Sequence, residues 1–331
     1  MATVEAGRPH TVMPWATFPC LGSTNTLLSG LIAMSDRRAA ADRVVHVFDG
    51  MDESGDEAAG GPTRSSLKVV PLRSEAGIGM TVPISLALAD RQNQGRGRLD
   101  RVWYNQPGES FMASWAAALP TRILSGARGG WLPMAVGLAL AHGLDEVLHD
   151  CGAEPLDGSD GPVGLSLKWP NDLFRRGRKL AGVLCEFVPV DERESVLVAG
   201  VGLNLFVPAD RLPTELAGSL QLEYGPLPAY GGLRDRLALA VSAELARSLT
   251  RLVEGGDEAY ADLRREVMAH SWTLGRQVEI NPVSGDPVRG RAVGLNTDAS
   301  LEVELDGGGR FAVTTGDVGV LPETGGGAEA A

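Results

Sequence analysis

Lys168-Trp169-Pro170-Asn171-Asp172-Leu173-Phe174-Arg175-Arg176-Gly177-Arg178-Lys179 carries two of the three lysines in a chain of 331 residues with 30 basic side chains. The third is Lys68, and every other basic residue is arginine. A guanidinium is a wide planar fork that stays charged, whereas an ammonium is a compact point charge that can approach a single phosphate or carboxylate oxygen. Lysine kept against such a bias marks a place where the fork would not fit. Chance, or a surface leftover, suits the isolated Lys68 better than the clustered pair. The same stretch decides the local fold. The runs Leu165–Trp169 and Lys179–Val188 read as strands joined through a Pro170-Asn171-Asp172 turn, and Val196–Val207 reads as a third strand of the same sheet. A hairpin of that length sets Lys168, Lys179 and Asp172 around one end of the sheet. An ammonium there lowers the cost of bringing a carboxylate up to a phosphate. Asn171 and Asp172 offer oxygens to Mg²⁺ or to an incoming amine.

Working outward, Val82–Ala89 and Ser110–Leu119 read as buried strands, and Trp131–Leu148, apolar nearly all round, as a helix inside the core. Ser23-Thr24-Asn25 is an N-cap signal for a helix beginning near Thr26. Apolar residues at 233, 237, 241, 245, 249 and 252 predict an amphipathic helix over Leu233–Leu252, with another over Asp257–His270. Residues 36–80 change character: two short β-like runs, Val44–Phe48 and Leu67–Leu72, surround a charged, Gly-rich loop at 50–66, the pattern of an insertion. After Trp272 short alternating strands with turn signals continue to Leu321, the texture of a small β-barrel. The tail from Glu323 is Gly/Ala-rich and reads as disordered.

Two further motifs carry chemistry. Gly95-Arg96-Gly97-Arg98-Leu99-Asp100-Arg101 puts three arginines on a Gly-rich loop after a strand, well placed to close over phosphates. Alone it is a weak signal that an exposed RNA-binding segment would also give. Gly200-Val201-Gly202-Leu203-Asn204 has glycines two apart on a strand, which leaves one sheet face bare for a flat ligand. A bulge or close helix packing explains it equally well. It lacks the third glycine of a dinucleotide fingerprint.

Composition narrows the class. A formal charge of −12 and a pI near 4.9 argue against bulk attraction to nucleic acid or an anionic membrane. Cys20, Cys151 and Cys185 are far apart with no CxxC spacing, which points to a reducing, cytoplasmic setting. The histidines are scattered, so no transition-metal site is expected. No apolar stretch is long enough to span a bilayer.

Taken in order, STN at 23–25, Gln92 with GRGRLDR at 95–101, KWPND at 168–172, RKLAGVL at 178–184 and GVGLN at 200–204 resemble the biotin protein ligases over roughly residues 12–321, apart from 36–80. The resemblance implies an α+β fold: a class II aminoacyl-tRNA-synthetase-like catalytic domain, a mixed sheet flanked by helices, over 1–271 with an insertion at about 36–80. A small SH3-like barrel over 272–321 and a disordered tail at 322–331 follow. Only 22 residues precede Ser23, too few for the winged helix-turn-helix of members that also repress transcription, so the monofunctional type is expected.

The resemblance also implies roles. Ser23, Thr24, Asn25 and Gln92 would line the biotin ureido and ring pocket beside Gly182, Gly200 and Gly202. Arg96, Gly97 and Arg98 would cover the biotin carboxylate and the adenylate phosphate, and Lys179 would bridge carboxylate and α-phosphate. Trp103 would lie near the adenine, with Arg101, Lys168, Asn171 and Asn204 completing the nucleotide site. Asp172, with Lys179 and Arg98, would be catalytic. Biotin and ATP are the implied small molecules, with Mg²⁺ delivered on ATP and no resident metal. The implied partner is a biotin carboxyl carrier protein or domain of an acetyl-CoA, propionyl-CoA or pyruvate carboxylase, served by a monomer or weak homodimer. Asp100 departs from the family, in which many members have glycine, and its charge opposes closure over phosphate. Lipoate or octanoate attachment is the nearest alternative. A non-catalytic ligand sensor is a more distant one, which retention of Lys179 and both loop arginines disfavours.

Overall fold

The run Ser-Phe-Met-Ala-Ser-Trp-Ala-Ala-Ala-Leu-Pro at 110–120 carries no charge, so it must be covered on both faces. In the computed structural model it is the middle of a large sheet and is buried along almost its whole length. The structure describes residues 12–51, 66–72, 80–99, 101–124, 126–159, 164–281 and 286–320. In chain order the strands up to the last helix are β1 (Val12–Phe18), β2 (Ser66–Pro71), β3 (Ile84–Ala89), β4 (Ser110–Pro120), β5 (Glu154–Pro155), β6 (Leu165–Lys168), β7 (Asp172–Arg175), β8 (Arg178–Pro189), β9 (Glu194–Asn204) and β10 (Tyr224–Gly225). Beyond it come β11 (Gln277–Asn281), β12 (Val288–Leu295), β13 (Leu301–Leu305), β14 (Arg310–Val313) and β15 (Asp317–Val320). The helices are α1 (Thr24–Met34), α2 (Ala40–Val45), α3 (Thr121–Leu124), α4 (Leu132–Asp150), α5 (Tyr230–Glu254) and α6 (Gly256–Ala269).

The main sheet has eight strands in the order β2-β1-β3-β4-β9-β8-β7-β6. Only β1 and β3 run parallel; the other pairs are antiparallel. Side chains alternate between faces, so β4 sends Phe111, Ala113, Trp115 and Ala117 into the larger core under α4 and α5. Those two helices approach so closely that a Cβ on Gly143 would lie 2.8 Å from the backbone nitrogen of Val241. Trp115 ties the sheet to α5 by donating its indole N–H to Ser242 Oγ at 2.7 Å. On the opposite face Leu28 and Ile32 of α1 and Val44 of α2 cover Ala16, Phe18, Ala87, Ala89, Ala116 and Val198.

The chain after α6 is stitched to the edge strand β6. Leu167 N donates to His270 O, and Trp272 N donates to Leu167 O, each at 2.8 Å. A five-stranded antiparallel sheet of order β14-β13-β12-β11-β15 follows. Two buried indoles anchor it: Trp169 Nε1 donates to Ala299 O at 2.9 Å and Trp131 Nε1 to Thr297 O at 2.8 Å. The small sheet is thereby fixed beside the Trp169–Asp172 turn.

Two local expectations are corrected. Val44–Phe48 is not a strand: α2 ends at Val45 and a turn follows. Val44, Val47 and Phe48 are buried at helix-and-turn spacing against the sheet, so tertiary packing overrides the strand preference of paired valines. The Pro170-Asn171-Asp172 turn does not join the Leu165–Trp169 strand directly to the Lys179 strand either. Asp172–Arg175 is strand β7, because Leu173, Phe174 and even Arg175 are buried there; Arg175 holds Glu223 at 3.0 Å and the Tyr224 hydroxyl at 2.6 Å. Within 36–80, β2 is an integral edge strand paired with β1 along six positions. Residues 52–65, Asp100 and the tail from 321 lie outside the described residues.

Where α4, α5 and α6 meet, His142 Nε2 lies 3.2 Å from Glu266 Oε1 and its Nδ1 lies 4.0 Å from Glu244. The hydrogen bond with Glu266 raises the pKa of His142 above its ordinary 6.5, and the same bond lowers that of Glu266 below 4.5. A raised histidine contributes stability that is full below about pH 6.5 and is lost as pH climbs through the folded value. A lowered glutamate contributes above about pH 4.5 and loses its share as pH falls through its folded value. Nearby Asp145, raised by burial, works against folding once pH exceeds its unfolded value. The melting-temperature gap between wild type and His142→Gln should therefore be wider at pH 6 than at pH 8.5. Equal gaps would show that the pair carries no proton-linked stability.

Candidate active site

Ser23 caps α1, its Oγ accepting from Thr26 N at 3.5 Å. The segment before the helix pairs with the one after β3: Leu21 N donates to Arg91 O and Asn93 N to Leu21 O. That pairing brings Gln92 to the helix start, where its Oε1 accepts from Thr24 N at 2.7 Å. Asn105 holds Gln92 in place by bonding both its backbone N–H and its carbonyl at 3.0 Å. From β4 below, Ser114 Oγ lies 2.6 Å from both Thr24 Oγ1 and Asn25 Oδ1. Asn25 Nδ2 donates to Leu184 O at 3.2 Å and to Glu186 Oε2 at 2.9 Å, and Glu186 Oε1 meets Arg96 at 2.9 Å. One unbroken run of polar contacts thus joins the helix cap to the arginine loop.

That loop is a narrow hairpin. Gly97 N donates to Arg101 O at 2.7 Å and Trp103 N to Gly95 O at 2.9 Å, with Leu99 turned to φ +53°. A Cβ on Gly95 would lie 2.5 Å from the Trp103 carbonyl oxygen, so glycine is required there. Arg98 reaches across to Asn171 Oδ1 at 3.1 Å, and Asn171 is held by donating to Val183 O at 2.7 Å. Lys179 Nζ lies 2.6 Å from Asp172 Oδ1 and 5.9 Å from the Trp103 ring. Its backbone is fixed by Leu216 O and Gly218 N, and Asn204 steadies the same segment by donating to Gly218 O at 2.9 Å. Lys168 sits over the Phe174 ring at 5.6 Å.

The glycine pair on β9 is not bare. A Cβ on Gly200 would fall 2.1 Å from Asn25 Oδ1, and one on Gly202 would fall 2.5 Å from the Trp103 ring. Each glycine is the seat of a site side chain. The Trp103 indole N–H is buried against Gly202 without a hydrogen-bond partner among the described residues. Burial, with Glu186 beside it, pushes the Cys185 thiol up to about 12, so it is no nucleophile.

Ser23, Thr24, Asn25, Gln92, Arg96, Arg98, Trp103, Asn171, Asp172, Lys179, Gly200, Gly202 and Asn204 line one cleft of about 1600 Å³, as do Gly97, Arg101, Lys168 and Gly182, the rest of the residues singled out from the sequence. Ser114 and Glu186 back this lining through Thr24, Asn25 and Arg96. Trp272, Arg276 and Val318–Val320 of the C-terminal unit close one side of it. Sequence reasoning missed Ser114, Glu186 and Asn105. The first two did leave a signal: Ser114 is the lone polar residue within 111–119, and Glu186 is the sole charge between Lys179 and Asp191. Among the described residues no group of three or more histidine, cysteine, aspartate or glutamate side chains could hold a metal ion. A polar pocket leading to an ammonium and a guanidinium pair can orient a neutral polar head while collecting negative charge at its other end.

Residues 83–204 match the biotin/lipoate A/B protein ligase family. The chain is similar to the biotin–[acetyl-CoA-carboxylase] ligase of Mycobacterium tuberculosis, 27% identical over 86% of this chain and 94% of that one. It is also similar to the bifunctional ligase/repressor BirA of Bacillus subtilis, 22% identical over 68% of this chain but only 62% of the relative. Among solved structures, the biotin protein ligase of Aquifex aeolicus in complex with biotin and ATP superposes with a TM-score of 0.58 at 19% identity, covering 93% of this chain and 98% of that one. That likeness establishes the fold: a class II aminoacyl-tRNA-synthetase-like mixed sheet flanked by helices, with a small SH3-like barrel at the C-terminal end.

Because Asn25 is pinned by three partners, it cannot swing aside for a methyl group on Gly200. Gly200→Ala should cost about 1–3 kcal/mol, the scale of overpacking. In an Asn25→Ala background the same change should be nearly neutral. Urea unfolding of the four forms of this cycle measures the coupling; simple additivity would mean that another contact makes Gly200 necessary.

Proposed function

We propose that the chain, whose residues 83–204 match the biotin/lipoate A/B protein ligase family, is an ATP-dependent biotin–protein ligase. The observation that carries the reading is the convergence of Lys179, Asp172, Arg96 and Arg98 on the open end of the Ser23–Asn25–Gln92 polar pocket. Ser23, Thr24, Asn25 and Gln92, backed by Ser114, supply the donors and acceptors that a ureido head needs. Gly182, Gly200 and Gly202 let the rest of the molecule lie close to the strands.

In the first step a biotin carboxylate oxygen attacks the α-phosphorus of MgATP. The Pα–O bond to the β-phosphate breaks, and biotinyl-5′-adenylate and pyrophosphate result. Lys179 stabilises the two anions as they approach, and its pairing with Asp172 holds the ammonium in place before they arrive. Arg96, Gly97, Arg98 and Arg101 cover the phosphate side. Trp103, Lys168, Asn171 and Asn204 border the nucleotide. In the second step a carrier lysine amine attacks the acyl carbon, the bond to AMP breaks, and the amine gives up a proton. Asp172 stands where it can orient that amine. The acceptor is a biotin carboxyl carrier protein or domain of an acetyl-CoA, propionyl-CoA or pyruvate carboxylase. The enzyme works in the cytoplasm as a monomer or weak homodimer, with no nucleic-acid partner, in keeping with its acidic charge. No helix among the described residues is long and apolar enough to cross a membrane.

Purified protein should catalyse ATP–pyrophosphate exchange with biotin and not with lipoate or octanoate; exchange only with the latter acids would overturn the biotin assignment. Lys179→Ala should slow adenylate formation by about 10²–10³-fold, the scale for losing one preorganised charge. Lys179→Arg should recover little, because the planar fork does not fit between the anions and Asp172. A Lys179→Arg variant with wild-type exchange rates would contradict this role for the ammonium.

A further inference from the structure

We propose that Glu186 is a positioning residue whose carboxylate holds Arg96 as a stand-in for the carboxylate of the acid substrate, and surrenders it when that substrate binds. This rests on the acid-activating reading of the cleft. Glu186 lies on β8 opposite Val198, while Leu184 and Gly182 stand opposite Gly200 and Gly202. Alternate residues of a strand share a face, so Glu186 points to the same side as the glycine seats. It is the sole charged side chain between Lys179 and Asp191 on that run. Both of its oxygens are committed: Oε1 meets Arg96 NH1 at 2.9 Å, and Oε2 accepts from Asn25 Nδ2 at 2.9 Å. One carboxylate therefore touches the floor of the polar pocket and the loop above it.

The chemistry of the contact fits an exchange. Glu186 offers Arg96 the functional group that the substrate would bring, so the two must compete for the same guanidinium. Arg96 is 49% exposed and Glu186 26% exposed. Such a solvent-touching pair is weak enough to open without a large penalty. Until the substrate arrives, the pair keeps the loop over the site and leaves no uncompensated charge beside the buried Asn25. After displacement Glu186 still holds Asn25 through Oε2, so the pocket stays shaped while Arg96 turns to the ligand.

Glu186→Gln tests the idea, because glutamine keeps an oxygen for Asn25 and removes only the charge. Binding of biotin and of uncharged biotin amide is measured by calorimetry for wild type, Glu186→Gln and the double variant Arg96→Gln/Glu186→Gln. Glu186→Gln should bind biotin about three- to fivefold more tightly, the scale of an exposed ion pair, and biotin amide within twofold of wild type. The gain should vanish in the double variant. Unchanged or weaker biotin binding, or an equal change for acid and amide, would overturn the proposal in favour of a purely structural role. If wild type binds octanoate instead of biotin, the function reading fails, and octanoate against octanamide decides the role of Glu186 by the same comparison. Binding of neither acid would sink both.

Discussion

The hydrogen-bonded run from Gln92 through Thr24, Ser114, Asn25 and Glu186 to Arg96 is the constraint on which the site depends. It crosses four separate parts of the chain and closes only because Gly200 has no side chain where Asn25 must lie. Its central members Thr24, Ser114 and Asn25 are buried, and a buried polar group left without a partner is costly. Each contact is therefore supported by the next, and the whole run acts as one piece of structure. It gives the pocket a fixed shape before any ligand enters, which is the condition for a site that must orient a small polar head.

Around that run the fold separates two tasks. The face of the sheet under α4 and α5 carries the large apolar core, with the Trp115–Ser242 bond and the close Gly143 crossing locking helices to strands. The opposite face is covered by α1 and α2 at one end only, and the cleft occupies the remainder. The antiparallel succession β7, β8 and β9 delivers Asp172, Lys179 and the glycine seats to that cleft from adjacent strands. The C-terminal sheet is docked through the indoles of Trp131 and Trp169 and so supplies a rigid wall rather than a swinging appendage. Trp169 belongs to the same turn as Asn171 and Asp172, so the anchoring of the small sheet and the geometry of the charged groups are mechanically linked.

Much of this was legible in the residues. The lysine bias located the charged centre, the N-cap signal located α1, and the apolar run at 131–148 located the core helix within two residues. Val44–Phe48 misled because paired valines favour a strand in isolation, whereas packing against the sheet stabilises a helix and turn. Strand β7 was hidden because four residues flanked by a proline turn and an Arg-Gly turn give too short a pattern, and its buried Arg175 looks like a loop residue until Glu223 and Tyr224 are beside it. The glycines of β9 were read as an open face, and their actual occupants come from distant segments.

By itself, then, the sequence determined the chemistry available and the class of fold: an ammonium centre at 168–179, an arginine-bearing glycine loop, a polar helix cap, and strands and helices in an order that builds a mixed sheet. Those are local properties, written in residue type and short-range spacing. Only the tertiary structure decided who meets whom. Asn25 and Glu186 are 161 residues apart, Thr24 and Ser114 are 90 apart, and Trp103 reaches Gly202 from another strand connection. Contacts of that kind depend on strand register and on which sheet face each residue takes, and these are set by burying the whole apolar surface at once, not by any one stretch of the chain.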